Sequence, residues 1–194
     1  MQKYSQIIDF LMAEGAEYAD IRFHEEDLTE SIAILNNDIE NYSFEDKQGY
    51  GIRVLFNGAW GFSSSEVLSE AALKSSAQKA IENARSASKP IKEKVTLAQK
   101  KVVVDSFKTP TLTDPFEVPL QEKLNYLIQL NKKLENKKFD FWSVRANFYR
   151  RVIHYWDSEG SKISRTILDV DAGLFVDAKD IDGLNQKRSF NLFH

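Results

Sequence analysis

Apolar residues recur along this chain at two different periods, and the change from one to the other marks out helices and strands. Tyr4, Ile7, Ile8 and Leu11 stand at i, i+3, i+4 and i+7, so they share one helical face, and Gly15 follows where a left-handed cap is wanted. From Ala19 the period becomes two, with Ala19, Ile21 and Phe23 on one side and Asp20, Arg22, His24 and Glu26 on the other. Runs at 30–35, 39–44 and 50–56 are rich in β-branched and aromatic residues and are parted by Asn36-Asn37-Asp38 and by Gly49. That is the pattern of an antiparallel meander. Asn57-Gly58, between Val54-Leu55-Phe56 and Trp60-Gly61-Phe62, predicts a type I′ hairpin, because both central positions of that turn need positive φ.

Beyond Ser65 the period returns to that of a helix, with Leu73, Ala77, Ala80, Ile81 and Ala84 forming a narrow stripe of small residues that lets a helix lie close to a sheet. Pro90 ends it. A polar, lysine-rich stretch and a proline-rich one then flank Val102-Val103-Val104, a predicted single strand. Pro119 suits the first turn of a helix carrying Leu120, Leu124, Leu127, Ile128 and Leu134 on one face. Strand patterns follow at 139–149, 152–156, 162–168 and 170–176, divided by turns at Ser158-Glu159-Gly160 and Asp182-Gly183. The expected fold is α+β: antiparallel β-meanders packed with about three helices. Residues 1–88 are expected to form a first unit, 89–118 a connecting segment with one strand, and 119–194 a second helix-plus-meander unit. Because a helix followed by about five strands occurs twice, an internal duplication is expected, and the two halves should then superpose.

Composition narrows the function. Apolar residues make up 42% and charged residues 28%, the balance of a folded globular domain. The net charge is −3 and no block of five like charges occurs, which argues against direct contact with nucleic acid. With no cysteine the chain has neither disulfides nor thiolate metal ligands. Ser5, Gln6 and Asp9 interrupt the apolar residues at the start, where a secretory signal would need an unbroken core, and no apolar run approaches the ~20 residues of a membrane span. A cytoplasmic protein without membrane contact is the expectation.

Residues able to do chemistry are few. His24, His154 and His194 are the only histidines, and none is paired at the spacing that puts two metal ligands on one helix face. The cluster His24-Glu25-Glu26-Asp27 lies in a strand pattern, where successive side chains point to opposite faces and do not converge on a cation. Ser63-Ser64-Ser65 lacks the surroundings of a nucleophile elbow and reads as a helix-capping cluster. Gly49, Gly51, Gly58 and Gly61 are too sparse for a phosphate cradle and read as sheet and turn positions. Trp60, Trp142, Trp156 and the 13 phenylalanines could make an exposed peptide-binding surface, but most are expected in the core or on sheet faces. No catalytic, cofactor-binding or metal-binding residue is assigned.

In order along the chain, Tyr18-Ala19-Asp20-Ile21-Arg22-Phe23, Gly49-Tyr50-Gly51-Ile52-Arg53-Val54 and Gly58-Ala59-Trp60-Gly61-Phe62-Ser63 resemble the opening motifs of the TldD/PmbA family. Ser63 stands where that family commonly has alanine. Asp114-Pro115, the leucine helix from Leu120 and the turn Asp157-Ser158-Glu159-Gly160 also look like family features. The resemblance implies the amino-terminal half of a zinc metallopeptidase of the "modulator of DNA gyrase" group: a cytoplasmic enzyme that degrades or matures unfolded peptides as a homodimer or a heterodimer with a related subunit. In TldD-type members it further implies a zinc held in the carboxy-terminal half by a His-Glu-x-x-x-His helix, with the glutamate as general base. This sequence stops before any such helix, so no cofactor is expected in this region and the chain alone is expected to be inactive. PmbA-type members lack the zinc motif, and a PmbA-like partner subunit or a stand-alone peptide-binding module are the alternatives.

Overall fold

The computed structural model describes residues 2–135 and 138–193. Its elements run α1 (Gln2–Ala13), β1 (Tyr18–Leu35), β2 (Asp38–Phe56), β3 (Ala59–Ser65), α2 (Glu70–Ser88), β4 (Val104–Lys108), a 3-10 turn (Pro115–Glu117), α3 (Leu120–Leu134), β5 (Phe141–Asp157), β6 (Lys162–Lys179) and β7 (Asn185–Phe193). The strands form one antiparallel sheet in the order β3-β2-β1-β5-β6-β4, with β7 paired to β6. The α+β class and the three helices are as predicted.

Strands are longer than the sequence pattern suggests. The runs read separately on either side of residues 27–29 are one strand, β1, and Gly49 lies within β2 rather than ending a strand. The physical reason is that glycine breaks a strand only where it takes a positive φ, and Gly49 does not. The true ends are Asn36 and Asn37, with φ of 49° and 72°, and Asn57 and Gly58, with φ of 47° and 76°. Both are the two-residue turns that positive φ at each central position allows, and the second is the hairpin read from the sequence. Strand β4 begins at Val104, two residues later than the valine run predicts. Ser63, Ser64 and Ser65 are also a correction: they are the last residues of β3, and α2 is capped by Ser69, whose hydroxyl accepts a bond from the Ala72 amide at 3.2 Å.

The chain forms two compact units, each assembled from three segments. The first comprises Met1–Glu26, Lys47–Phe107 and Arg151–Thr166. Here α1 and α2 cover the sheet: Ile7, Leu11, Ile21, Ile52, Val54 and Ile81 are buried in one cluster with the small-residue face of α2. Gly61 permits this close approach. A Cβ there would collide with the carbonyl oxygen of Ala80 and stand 2.8 Å from the Cβ of Ala84.

The second unit comprises Asp27–Asp46, Lys108–Arg150 and Ile167–His194. Helix α3, entered from Pro119 at its N-cap, lays Leu127 on Ile32, Ile34, Val144 and Ala146. Asn131, fully buried in α3, donates to the Ile34 carbonyl at 3.1 Å and accepts from the Asn37 amide at 2.7 Å, so the helix holds the β1–β2 turn. Lys123 of the same helix is ion-paired with Glu30, both almost fully buried.

Replacing Gly61 by alanine forces α2 away from β3 and lowers stability by about 3 kcal/mol, an overpacking cost. Urea unfolding of the variant checks this, and an unchanged midpoint would show that the helix can stand off freely.

Candidate functional site

The motif residues of the first unit come together around one buried carboxylate. Asp20, 1% exposed, accepts bonds from Arg53 Nε at 3.0 Å and Nη2 at 2.6 Å, a two-pronged pairing that suits the planar guanidinium. The guanidinium carbon lies 5.0 Å from the centre of the Trp60 ring, and Tyr18 meets the same ring edge-on at 5.9 Å. The bond to Asp20 raises the pKa of Arg53, against the opposing effect of burial. Aspartate from the first motif, arginine from the second and tryptophan from the third therefore satisfy one another. They lock β1, β2 and β3 together, a pairing that no spacing along the chain announces beyond the motifs themselves.

A second polar cluster was not legible in the sequence at all. Lys100, from the connecting segment, donates through Nζ to Asp157 Oδ2 at 2.7 Å, to the Tyr18 hydroxyl at 3.1 Å and to the Tyr155 hydroxyl at 3.2 Å. The two hydroxyls are 2.7 Å apart. Asp157 Oδ1 accepts from the amides of Glu159 at 3.0 Å and Ser161 at 2.9 Å, which closes the turn whose Gly160 takes φ of 104°. Burial raises the pKa of Tyr18, and the bond to Tyr155 adds to it. Burial alone would lower the pKa of Lys100, but its bonds to Asp157 and the two tyrosines outweigh that and raise it. Burial likewise pushes Asp157 up, yet Lys100 and Ser161 more than offset this and hold the carboxyl below its usual range. An ammonium hydrogen-bonded to one carboxylate and two hydroxyls is held in its charged form, which is a poor nucleophile. The cluster fastens the connecting segment to β1 and β5.

The histidines do not converge. His154 on β5 contacts Glu25 through Nε2 at 2.7 Å and lies 5.4 Å from the Trp156 ring. His24 lies in β1, and His194 is outside the described residues. Glu25, Glu26 and Asp27 follow one another along β1, with Glu25 exposed and Glu26 and Asp27 half-buried. Among the described residues no three histidine, aspartate or glutamate side chains gather closely enough to hold a metal ion. The residues present therefore do not fit the zinc site of a metallopeptidase.

What remains available for contact is strand edge and apolar surface in the second unit. Strand β2 pairs with β3 only from Tyr50–Ser65 to Phe56–Ala59, so the outer edge of Asp38–Asp46 extends past β3. Ile39, Tyr42 and Phe44 on that stretch are 52%, 43% and 51% exposed, and Asp38, Glu40, Glu45 and Asp46 surround them. Among the described residues, strand β7 pairs with β6 alone. Between α3 and the strands β5 to β7 lies an open apolar groove of about 610 Å³, onto which Tyr126, Leu130, Leu174, Phe190 and Leu192 face. Trp156 is buried as expected, but Phe44, Phe62, Phe107, Phe190 and Phe193 are each more than half exposed.

These features define an α+β fold of three helices and one seven-stranded antiparallel sheet. Residues 19–87 match the family model of PmbA/TldA metallopeptidase domain 1, and this region is a first domain of that family, which bears out the motif resemblance. The chain is 28% identical over 158 residues to a metalloprotease of Methanocaldococcus jannaschii, a match covering 80% of this chain and 34% of that one. Its fold is that of TldE from Thermococcus kodakarensis (TM-score 0.74, 14% identity, 99% of this chain and 43% of that one). A candidate modulator of DNA gyrase from Bacteroides thetaiotaomicron shares it as well (TM-score 0.77, 8% identity, 99% of this chain and 44% of that one). The chain thus spans about a third of the length of the curated relative and less than half of each solved structure.

Because Asp157 has a depressed folded pKa, it stabilises the fold above its unfolded value near pH 4, and that contribution is lost as pH falls through the folded value. Asp157→Asn should therefore cost about 2 kcal/mol at pH 7, with the deficit against the parent shrinking below about pH 4. Urea midpoints from pH 2 to 7 read this out, and a deficit independent of pH would contradict it.

Proposed function

We propose that this chain is the substrate-guiding amino-terminal domain of a TldD/PmbA-type metallopeptidase, contributing peptide capture and subunit contact but no catalytic group. The observation that carries the reading is the open outer edge of β2 at Asp38–Asp46. An exposed edge offers a row of backbone donors and acceptors, and an unfolded chain can pair with it whatever its sequence. Tyr42 and Phe44, two residues apart, stand on one face and add apolar contact for alternate side chains of the captured peptide. The acidic residues along this edge disfavour its pairing with a second copy of itself, as natural sheet edges require, and leave it open to neutral or basic extended chains.

On this reading hydrolysis belongs to a part of the protein beyond this region, with zinc expected there if the protein is TldD-type. The reaction is peptide-bond cleavage of unstructured peptides, in the cytoplasm, by a dimer of like or related subunits. The alternative is a PmbA-like companion subunit without its own metal.

In the complete protein, replacing both Tyr42 and Phe44 by aspartate should raise KM for an unstructured peptide about tenfold while leaving kcat and bound zinc unchanged. Unchanged KM would sink the capture role. Activity that appears only after mixing with a zinc-binding relative would instead select the companion-subunit alternative.

A further inference from the structure

The second unit leaves one half of its sheet uncovered, and the shape and charge of the exposed half specify what covers it. Helix α3 packs over β1 and β5, where Ile32, Ile34, Val144 and Ala146 are buried. Strands β6 and β7 beside it pair Leu174 with Phe190 and Ala172 with Leu192 on the same face. There Leu174, Phe190 and Leu192 are 37%, 60% and 56% exposed, and Tyr126 on the flank of α3 is 63% exposed. In the first unit the comparable face carries two helices in mutual contact, and its Ile21, Ile52 and Val54 are sealed at 0% exposure. Exposed apolar groups gathered in one groove, rather than scattered, mark a binding surface.

The dimensions select a helix over a strand. Adjacent helices on a sheet lie about 8–10 Å apart, and two strands occupy about 9.5 Å, so a helix packed beside α3 sits directly over β6 and β7. The groove runs beside α3 from Glu122 to Lys133. That is about 17 Å, or about three helical turns.

Charge fixes the direction. Lys133 is in the last turn of α3, the end that Asn131 ties to the Trp142 carbonyl, and Arg188 pairs with Val176 of β6. Asp140, two residues before Trp142, bonds the carbonyl of Asp177, next to Val176, so Lys133 and Arg188 lie at the same end of the groove. Glu122 lies at the other end, by the first turn of α3, beside Lys123, whose charge is taken up by its ion pair with Glu30. A helix running antiparallel to α3 brings its N-terminal turn, where carboxylates are favoured, to Lys133 and Arg188, and its C-terminal turn, where cations are favoured, to Glu122.

We propose that this groove docks an amphipathic helix from another protein, antiparallel to α3, with an apolar stripe on Leu174, Phe190 and Leu192 and acidic residues in its first turn on Lys133 and Arg188. This surface is separate from the β2 edge, so it stands or falls independently of peptide capture.

The test uses the complete protein and a set of fluorescein-labelled, lactam-stapled 14-residue helices with leucines at i, i+3, i+4 and i+7. One series carries two glutamates in the first turn, and a matched series carries two lysines there. Controls are scrambled helices and an alternating Val/Thr peptide of extended conformation. The acidic series should bind saturably. Phe190→Ala with Leu192→Ala should weaken it at least tenfold, and both residues are exposed, so folding should be retained and circular dichroism unchanged. Lys133→Glu with Arg188→Glu should weaken the acidic series at least fivefold and strengthen the lysine series. Absence of saturable binding by any stapled helix, tighter binding of the extended peptide, or failure of the charge exchange would overturn the proposal. So would self-association of the protein that the Phe190/Leu192 variant abolishes, since it would make a second copy the occupant.

Discussion

A helix rises about 1.5 Å per residue and a strand about 3.3 Å, and this difference governs how the protein is assembled. Strands β1, β2, β5 and β6 run 18, 19, 17 and 18 residues, whereas the longest helix, α2, has 19. No single helix can cover the apolar face of such strands from end to end. The core is accordingly divided into two clusters, one under α1 and α2 and the other under α3. Covering with two helices in one unit and one in the other is also what leaves the apolar groove beside α3.

Polar groups inside each unit do the locating that apolar packing alone leaves undetermined. The Asp20–Arg53 pair under Trp60 sets β1 against β2 and β3 in the first unit, and Asn131 sets α3 against the β1–β2 turn in the second. A buried carboxylate or amide left without its partner costs far more than the paired group contributes, so each tolerates only one arrangement of its neighbours. Lys100 and Asp157 do the same for the connecting segment, with charges held in place by hydrogen bonds on every side. These three polar clusters are thereby committed to structure.

Much of the fold was legible because its signals are local. The α1 stripe, the small-residue face of α2 and the Asn57-Gly58 turn each depend on residues within a few positions of one another, and each stands where the pattern put it. Strand lengths were not legible, because a polar interruption such as residues 25–27 or a glycine such as Gly49 reads as a break when only neighbours are compared. The serines at 63–65 misled for the same reason: their type suits a cap, but pairing with β2 from Ile52 to Tyr50 keeps them extended. The Lys100 cluster joins residues 57 and 82 positions apart, and no short-range pattern announces it. The groove was hidden too, since Phe190 and Leu192 look like ordinary core residues until the missing cover is seen.

The central claim is that this domain holds an unstructured peptide along a strand edge while the bond-breaking groups lie elsewhere. Amide hydrogen exchange of the complete protein, with and without a saturating unstructured peptide that is not cleaved, tests it most directly. Strand pairing predicts marked slowing of exchange at the amides of 38–46 that face the open edge, with His24 and His154 and their neighbours unaffected. Unaltered exchange along 38–46, with protection centred on the histidines instead, would contradict the account.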